Sequence, residues 1–209
     1  MKRAGALLVF CMAACSPQTG VRVPDEVGDV DWTALTFATT TVFESGTTSG
    51  GLQKRTLVIA VSDRSDLCDF TGPYGDVDTG IDVRMAIIVV ELTELELRRY
   101  VATTKGGHGT VDGPADVSIG AFIYHREGGE TLIHTHTGTS PDASLTIDEL
   151  ADNMAPVAGS FSYRLVKDIG TARPADFDEN EDGRMDYRKL DAVAEGTFVD
   201  AEWCGREEG

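Results

Sequence analysis

Between Leu35 and Trp203 the chain is written in short runs rich in Val, Ile, Thr and Phe, each closed by a cluster of Gly, Asp, Ser or Thr. β-branched and aromatic side chains pack well on a pleated surface, and the clusters between them supply turns. Strands are therefore predicted at Leu35–Phe43, Thr56–Val61, Met85–Leu92, Arg99–Thr103, Val117–Tyr124, Leu132–Thr137, Ser144–Ile147, Gly159–Val166 and Glu195–Trp203. Phe161, Tyr163 and Leu165 alternate with Ser160, Ser162 and Arg164, the period of a strand with one buried and one wet face. Met85-Ala-Ile-Ile-Val-Val is continuously apolar instead, which demands cover on both faces. In the last run Phe198 and Trp203 share a face only if a one-residue bulge separates them. Helical patterning is brief: Ser65–Asp69 and Tyr187–Ala194 each suit a single turn, while Leu92, Leu95 and Leu97 fit neither period. The expected fold is all-β, a single antiparallel β-sandwich of about eight or nine strands over residues 31–209, behind a disordered N-terminal signal and tether.

The N-terminus follows a different grammar. Lys2 and Arg3 precede an apolar run from Ala4 to Ala14, too short for a permanent bilayer span, and Cys15 follows. Met12-Ala-Ala-Cys15 resembles a bacterial lipobox, in which a larger apolar residue and two small ones precede the acylated cysteine. The resemblance implies cleavage before Cys15 and a diacylglycerol on its thiol. Cys11 is a poor acceptor, because bulky Phe10 stands where a small residue is needed. Ser16 is not the aspartate that in this class signals inner-membrane retention, so an outer-membrane destination is implied, facing periplasm or cell surface. Residues 1–14 are thus read as signal peptide and 15–30, with Pro17 and Pro24 and no sustained period, as a lipidated tether.

Charge and cysteines narrow the function. The chain carries 18 Lys+Arg against 35 Asp+Glu, a net charge of −17. Loss of Lys2 and Arg3 leaves 16 basic against 35 acidic side chains, or −19. Nucleic acid and electrostatic docking on anionic lipid both require a basic face, so neither partner is expected. The membrane contact expected is the N-terminal lipid anchor. Cys68 and Cys204 are the cysteines left in an oxidising compartment, and a disulfide between them is the natural reading; the alternative is a reactive thiol, for which no histidine lies near in sequence.

A second resemblance rests on Val58-Ile-Ala-Val-Ser-Asp-Arg-Ser-Asp-Leu-Cys68, Ala158-Gly-Ser-Phe161 and Glu195-Gly-Thr-Phe-Val-Asp-Ala-Glu-Trp-Cys204. These segments resemble a pattern in uncharacterised secreted lipoproteins of predatory Gram-negative bacteria, where such motifs bracket a β-rich domain. The likeness supports the Cys68–Cys204 pairing and implies no activity.

Two constellations are candidates for metal chemistry. With Asp178 as position one, Asn180, Asp182, Gly183 and Asp186 occupy positions three, five, six and nine of a loop that resembles the EF-hand and its dockerin relatives, with Met185 at the apolar eighth position. Position twelve is Lys189 rather than a bidentate Glu, so the expected ligand set is Asp178, Asn180, Asp182 and Asp186, holding Ca2+ weakly and structurally; the alternative is a solvated acidic loop. His134 and His136 stand two apart, the spacing that shares one face of a strand, and His125 on the neighbouring run offers a third nitrogen. The pair resembles the cupin His-x-His, but the glutamate that should follow is missing.

No nucleophile elbow, P-loop or dinucleotide fingerprint is present in the sequence. The expectation is a non-enzymatic binding or structural module tethered to the cell envelope, its protein or glycan partner unassigned, with no catalytic residues and no cofactor beyond calcium. The alternatives are an extracytoplasmic metal-assisted hydrolase built on His125, His134 and His136, and a surface adhesin meeting its partner through loops such as 104–116.

Overall fold

A computed structural model of the chain describes residues 17–23, 30–70, 81–103, 111–128, 130–137, 143–166 and 189–205. Eleven strands form within these segments: β1 (Gly20–Arg22), β2 (Phe37–Thr47), β3 (Gln53–Ser62), β4 (Val83–Leu92), β5 (Arg99–Val101), β6 (Ser118–Glu127), β7 (Glu130–Thr137), β8 (Ala143–Leu150), β9 (Pro156–Val166), β10 (Lys189–Phe198) and β11 (Glu202–Trp203). They make two five-stranded layers, β1-β10-β9-β8-β5 and β2-β3-β4-β6-β7, with β11 added to β2 at the edge of the second. The layers are joined at one residue pair, Thr135 with Val166. All pairings are antiparallel except β11 with β2. This is the all-β sandwich expected from the runs of Val, Ile and Thr.

Each of the nine expected strands coincides with a strand, with three differences. Gly20–Arg22, expected in the tether, pairs with Glu195–Thr197 of β10, so the sandwich begins before residue 31. Thr197 Oγ1 donates to the Gln18 carbonyl at 2.6 Å, and Val199 N–H donates to Thr19 Oγ1 at 2.9 Å, which fastens the entry. Residues 189–194, expected in a helical turn, belong to β10. The run Glu195–Trp203 is split, because Asp200 takes a left-handed φ of 53° and sends the chain from one layer to the other. Phe198 and Trp203 therefore lie in different sheets rather than flanking a bulge. Ser65–Asp69 does give a short turn, a 3-10 helix over Leu67–Phe70.

The interlayer core takes every second residue of its strands. Leu57, Ile59 and Val61 of β3, Ala86, Ile88 and Val90 of β4, and Ile119 and Ile123 of β6 meet Leu145, Phe161, Tyr163 and Phe198 of the opposing layer. The intervening residues Val58, Ala60, Met85, Ile87 and Tyr124 are buried on the outer side, in a second cluster that includes Leu67 of the 3-10 turn. The continuous apolar run Met85–Val90 is thus covered on both faces, as its sequence requires.

Tyr163 is fully buried and donates to the Phe122 carbonyl at 3.3 Å. Burial pushes its phenol above the ordinary tyrosine range, because the charged form is desolvated. The unfolded state alone then loses this proton above about pH 10, so stability falls as pH rises past that point. Thermal melts across pH 8–11 are expected to show this decline, and Tyr163→Phe to flatten it relative to its own neutral-pH value.

Two glycines shape the first layer. Across the β9–β10 ladder Gly159 faces Phe198 and Gly196 faces Phe161, so the Gly-Ser-Phe and Gly-Thr-Phe motifs complement each other reciprocally. A Cβ on Gly159 would stand 2.2 Å from the Thr146 carbonyl oxygen and 2.6 Å from the Phe198 ring; one on Gly196 would stand 2.3 Å from the Phe161 ring. Each aromatic ring fills the space a side chain would occupy.

Candidate functional site

The reciprocal glycine–phenylalanine pairs turn the rings inward and leave small hydroxylated residues on the outside of the first layer. Register carries two rows across all five strands: Gly20, Thr197, Ser160, Thr146 and Arg99 in one, Arg22, Glu195, Ser162, Ser144 and Val101 in the next. All of these but Val101 line an open groove of about 630 Å³. Its floor offers five hydroxyls, each both donor and acceptor. Arg22 and Arg99 are exposed at opposite edges, on strands four spacings apart, roughly 19 Å at ordinary strand separation. Arg99 Nη2 reaches Ser144 Oγ at 3.4 Å, a long contact that leaves most of its donors to solvent. Among the described residues that line the groove, Glu195 supplies a carboxylate and none is a histidine. Such a face can hold a polar, extended ligand by many hydroxyl contacts and grip an anionic group at either rim through a guanidinium fork.

Sequence reading did not single out this surface. Ser160, Ser162 and Arg164 were expected to point outward, and residues 160–164 follow that alternation, but the assembly of the rows depends on which strands become neighbours. The reciprocal Gly-x-Phe motifs were the available sign that this layer has one small-residue face.

The residues expected to carry chemistry are dispersed. Cys68 and Cys204 are joined, with sulfurs 2.03 Å apart and Cα atoms 5.0 Å apart, so neither is a free thiol. The bond ties the 3-10 turn holding Leu67 to the chain just after β11, where Cys204 N–H donates to the Thr40 carbonyl at 3.0 Å. Cys15 and the calcium candidates Asp178, Asn180, Asp182 and Asp186 lie outside the described residues, as does 104–110 of the proposed adhesin loop. Among the described residues no group of three His, Cys, Asp or Glu side chains is placed to hold a metal.

His125 lies on β6 opposite Leu132, and the backbone register sets His134 opposite Ile123 and His136 opposite Ala121. The three histidine positions thus fall on one side of the β6–β7 ladder. The His125 ring meets Trp32 edge-on, with centroids 6.4 Å apart at 76°. Its Nε2 is 3.4 Å from Glu127 Oε2, too long and misaligned for a hydrogen bond, so this is a loose electrostatic contact at most. Nearby, Arg84 on β4 pairs with Asp63 at 3.7 Å and donates to the Asp31 carbonyl at 3.0 Å. Asp31 caps the turn over Trp32–Ala34 by accepting from Thr33 Oγ1 at 2.6 Å and Thr33 N–H at 3.0 Å, which holds its carboxyl below the usual range. These contacts account for the cluster as the fastening of the Trp32 turn.

No family model, no curated protein and no solved structure matches this chain.

Proposed function

We propose that this chain is an acylated lipoprotein of the outer membrane and that its sandwich is a non-enzymatic binding module, which takes a polyhydroxylated, acidic ligand such as a glycan across the β1-β10-β9-β8-β5 face. The observation that carries this reading is the groove itself. In a chain of net charge −17 it gathers, among the described residues, five hydroxyls between the exposed Arg22 and Arg99, with Glu195 beside them. Arg99→Ala is expected to weaken binding of an acidic oligosaccharide by about tenfold, and Arg22→Ala likewise, since one charge-assisted contact is worth about 1.5–3 kcal/mol. Titration calorimetry of the two variants against the unsubstituted protein measures this. Equal affinities in all three would remove the rims from the account.

Calcium in the 178–186 loop belongs to the same proposal, as a stabiliser rather than a reactant. The alternate Asp and Asn residues and Gly183 provide the hard oxygens and sharp turn that calcium prefers. Calcium is expected to raise the melting temperature of the protein and a chelator to lower it, with both effects lost in the Asp178→Ala, Asp182→Ala double variant. An unsubstituted protein whose melting is indifferent to calcium has only an acidic loop there.

The hydrolase reading keeps one supporting observation, the placement of positions 125, 134 and 136 on one side of a single ladder. It would use a bound transition metal to activate water.

A further inference from the structure

We infer that in the acylated protein the side of the sandwich built from β2, β11 and the 151–155 turn rests directly on the bilayer surface, so that the body is clamped to the membrane rather than held away from it. This deepens the proposal that Cys15 carries the lipid, and rests on it.

The first support is the length of the leash. Pro17 is two residues after Cys15, so their Cα atoms are at most about 7 Å apart. From there the chain has no slack, because Gln18 and Thr19 are bonded to Thr197 and Val199, and β1 begins at Gly20. Whatever surface surrounds Pro17 is therefore brought to headgroup level with the lipid.

The second support is what lies there. Pro17 and Thr19 border a hollow shared with Phe37, whose side chain is 43% exposed at the start of β2. From Phe37 the strand runs past β11, which pairs with Thr39 and Thr40, to Phe43, about 20 Å further on. Phe43 lines a second hollow with Met154, which is 48% exposed, Trp203 and Leu95. Two of the four large exposed hydrophobics among the described residues, Phe37 and Met154, thus follow this one side. Single exposed apolar residues are ordinary on any surface. Their alignment with the attachment point gives them a use: shallow insertion that orients the body while the acyl chains provide the hold. The hollow beside Pro17 also contains Asp200, Glu202 and Arg64, the last of which is paired with Asp66 at 2.6 Å. That balance is not basic, so a zwitterionic surface is the fitting occupant.

The test uses the full-length protein extracted from membranes and reconstituted into phosphatidylethanolamine–phosphatidylcholine vesicles containing a photoactivatable phospholipid. Intact mass first reports whether Cys15 is acylated. After irradiation, lipid insertion at Phe37 and Met154 is expected to exceed that at Ser144, Thr146 and Ser162 by about five-fold or more. An acylated protein labelled equally on both sides, or on neither, overturns the docking and leaves the anchor standing. A protein without acyl mass on Cys15 overturns both.

Discussion

Replacing both Cys68 and Cys204 by serine is expected to cost about 3–5 kcal/mol of stability, because the bond closes a loop between residues 136 apart and thereby restricts the unfolded chain. For a domain of this size that lowers the melting temperature by about 10 °C or more. The loss has a local component as well. The disulfide holds the 3-10 turn over Leu67–Phe70, and Leu67 is fully buried in the apolar cluster on the outer face of β3, β4 and β6. Released from Cys204, that turn no longer has a covalent hold, so Val58, Met85 and Ile87 should become accessible before the interlayer core opens. Increased binding of a hydrophobic dye at temperatures below the main transition reports this. Reductant should reproduce both effects in the native protein and change nothing in the double serine variant. A native protein whose melting is insensitive to reductant would contradict the pairing.

Gly159→Ala is the second large effect. The added Cβ would lie 2.2 Å from the Thr146 carbonyl oxygen, and a backbone atom in a central ladder cannot rotate away as a side chain can. Strand β9 must shift against β8, which overpacking data place at about 3 kcal/mol, or 6–12 °C in melting temperature. For Gly196→Ala the nearest atoms all belong to the Phe161 ring, the closest at 2.3 Å, and the ring has a χ angle with which to yield; its expected cost is smaller. Gly20→Ala, with nothing within 4 Å, is the control and should be neutral. Thermal melts of the three variants should therefore fall in that order. A Gly159→Ala protein as stable as Gly20→Ala would mean that β8 and β9 are not in the register described.

Much of the fold was legible in the sequence because it depends on local pattern. The positions of nine strands, the double burial of Met85–Val90 and the outward set Ser160, Ser162 and Arg164 each follow from periodicity within a few residues. The failures share a different cause. β1 is three residues, Gly-Val-Arg, with no period to detect, and its strand character comes from pairing with β10. The break at Asp200 depends on one left-handed residue that is not a glycine. The hydroxylated face was invisible for a stronger reason: Thr197, Ser160, Thr146 and Arg99 come from four segments, and only the strand order brings them into one row. Sequence alone reads each as an ordinary wet position on a strand. The two metal constellations were conspicuous because their residues are neighbours in sequence, which makes them easy to notice and says little about convergence in space.

The binding face is tested most directly by amide chemical-shift mapping of the isotopically labelled protein during titration with an acidic oligosaccharide. The account predicts saturable shifts confined to the rows of Arg22, Ser144, Thr146, Ser160, Ser162, Thr197 and Arg99, present in chelator-treated protein. Shifts centred instead on His125, His134 and His136, arising only when zinc is supplied, would contradict it and move the site to the other layer.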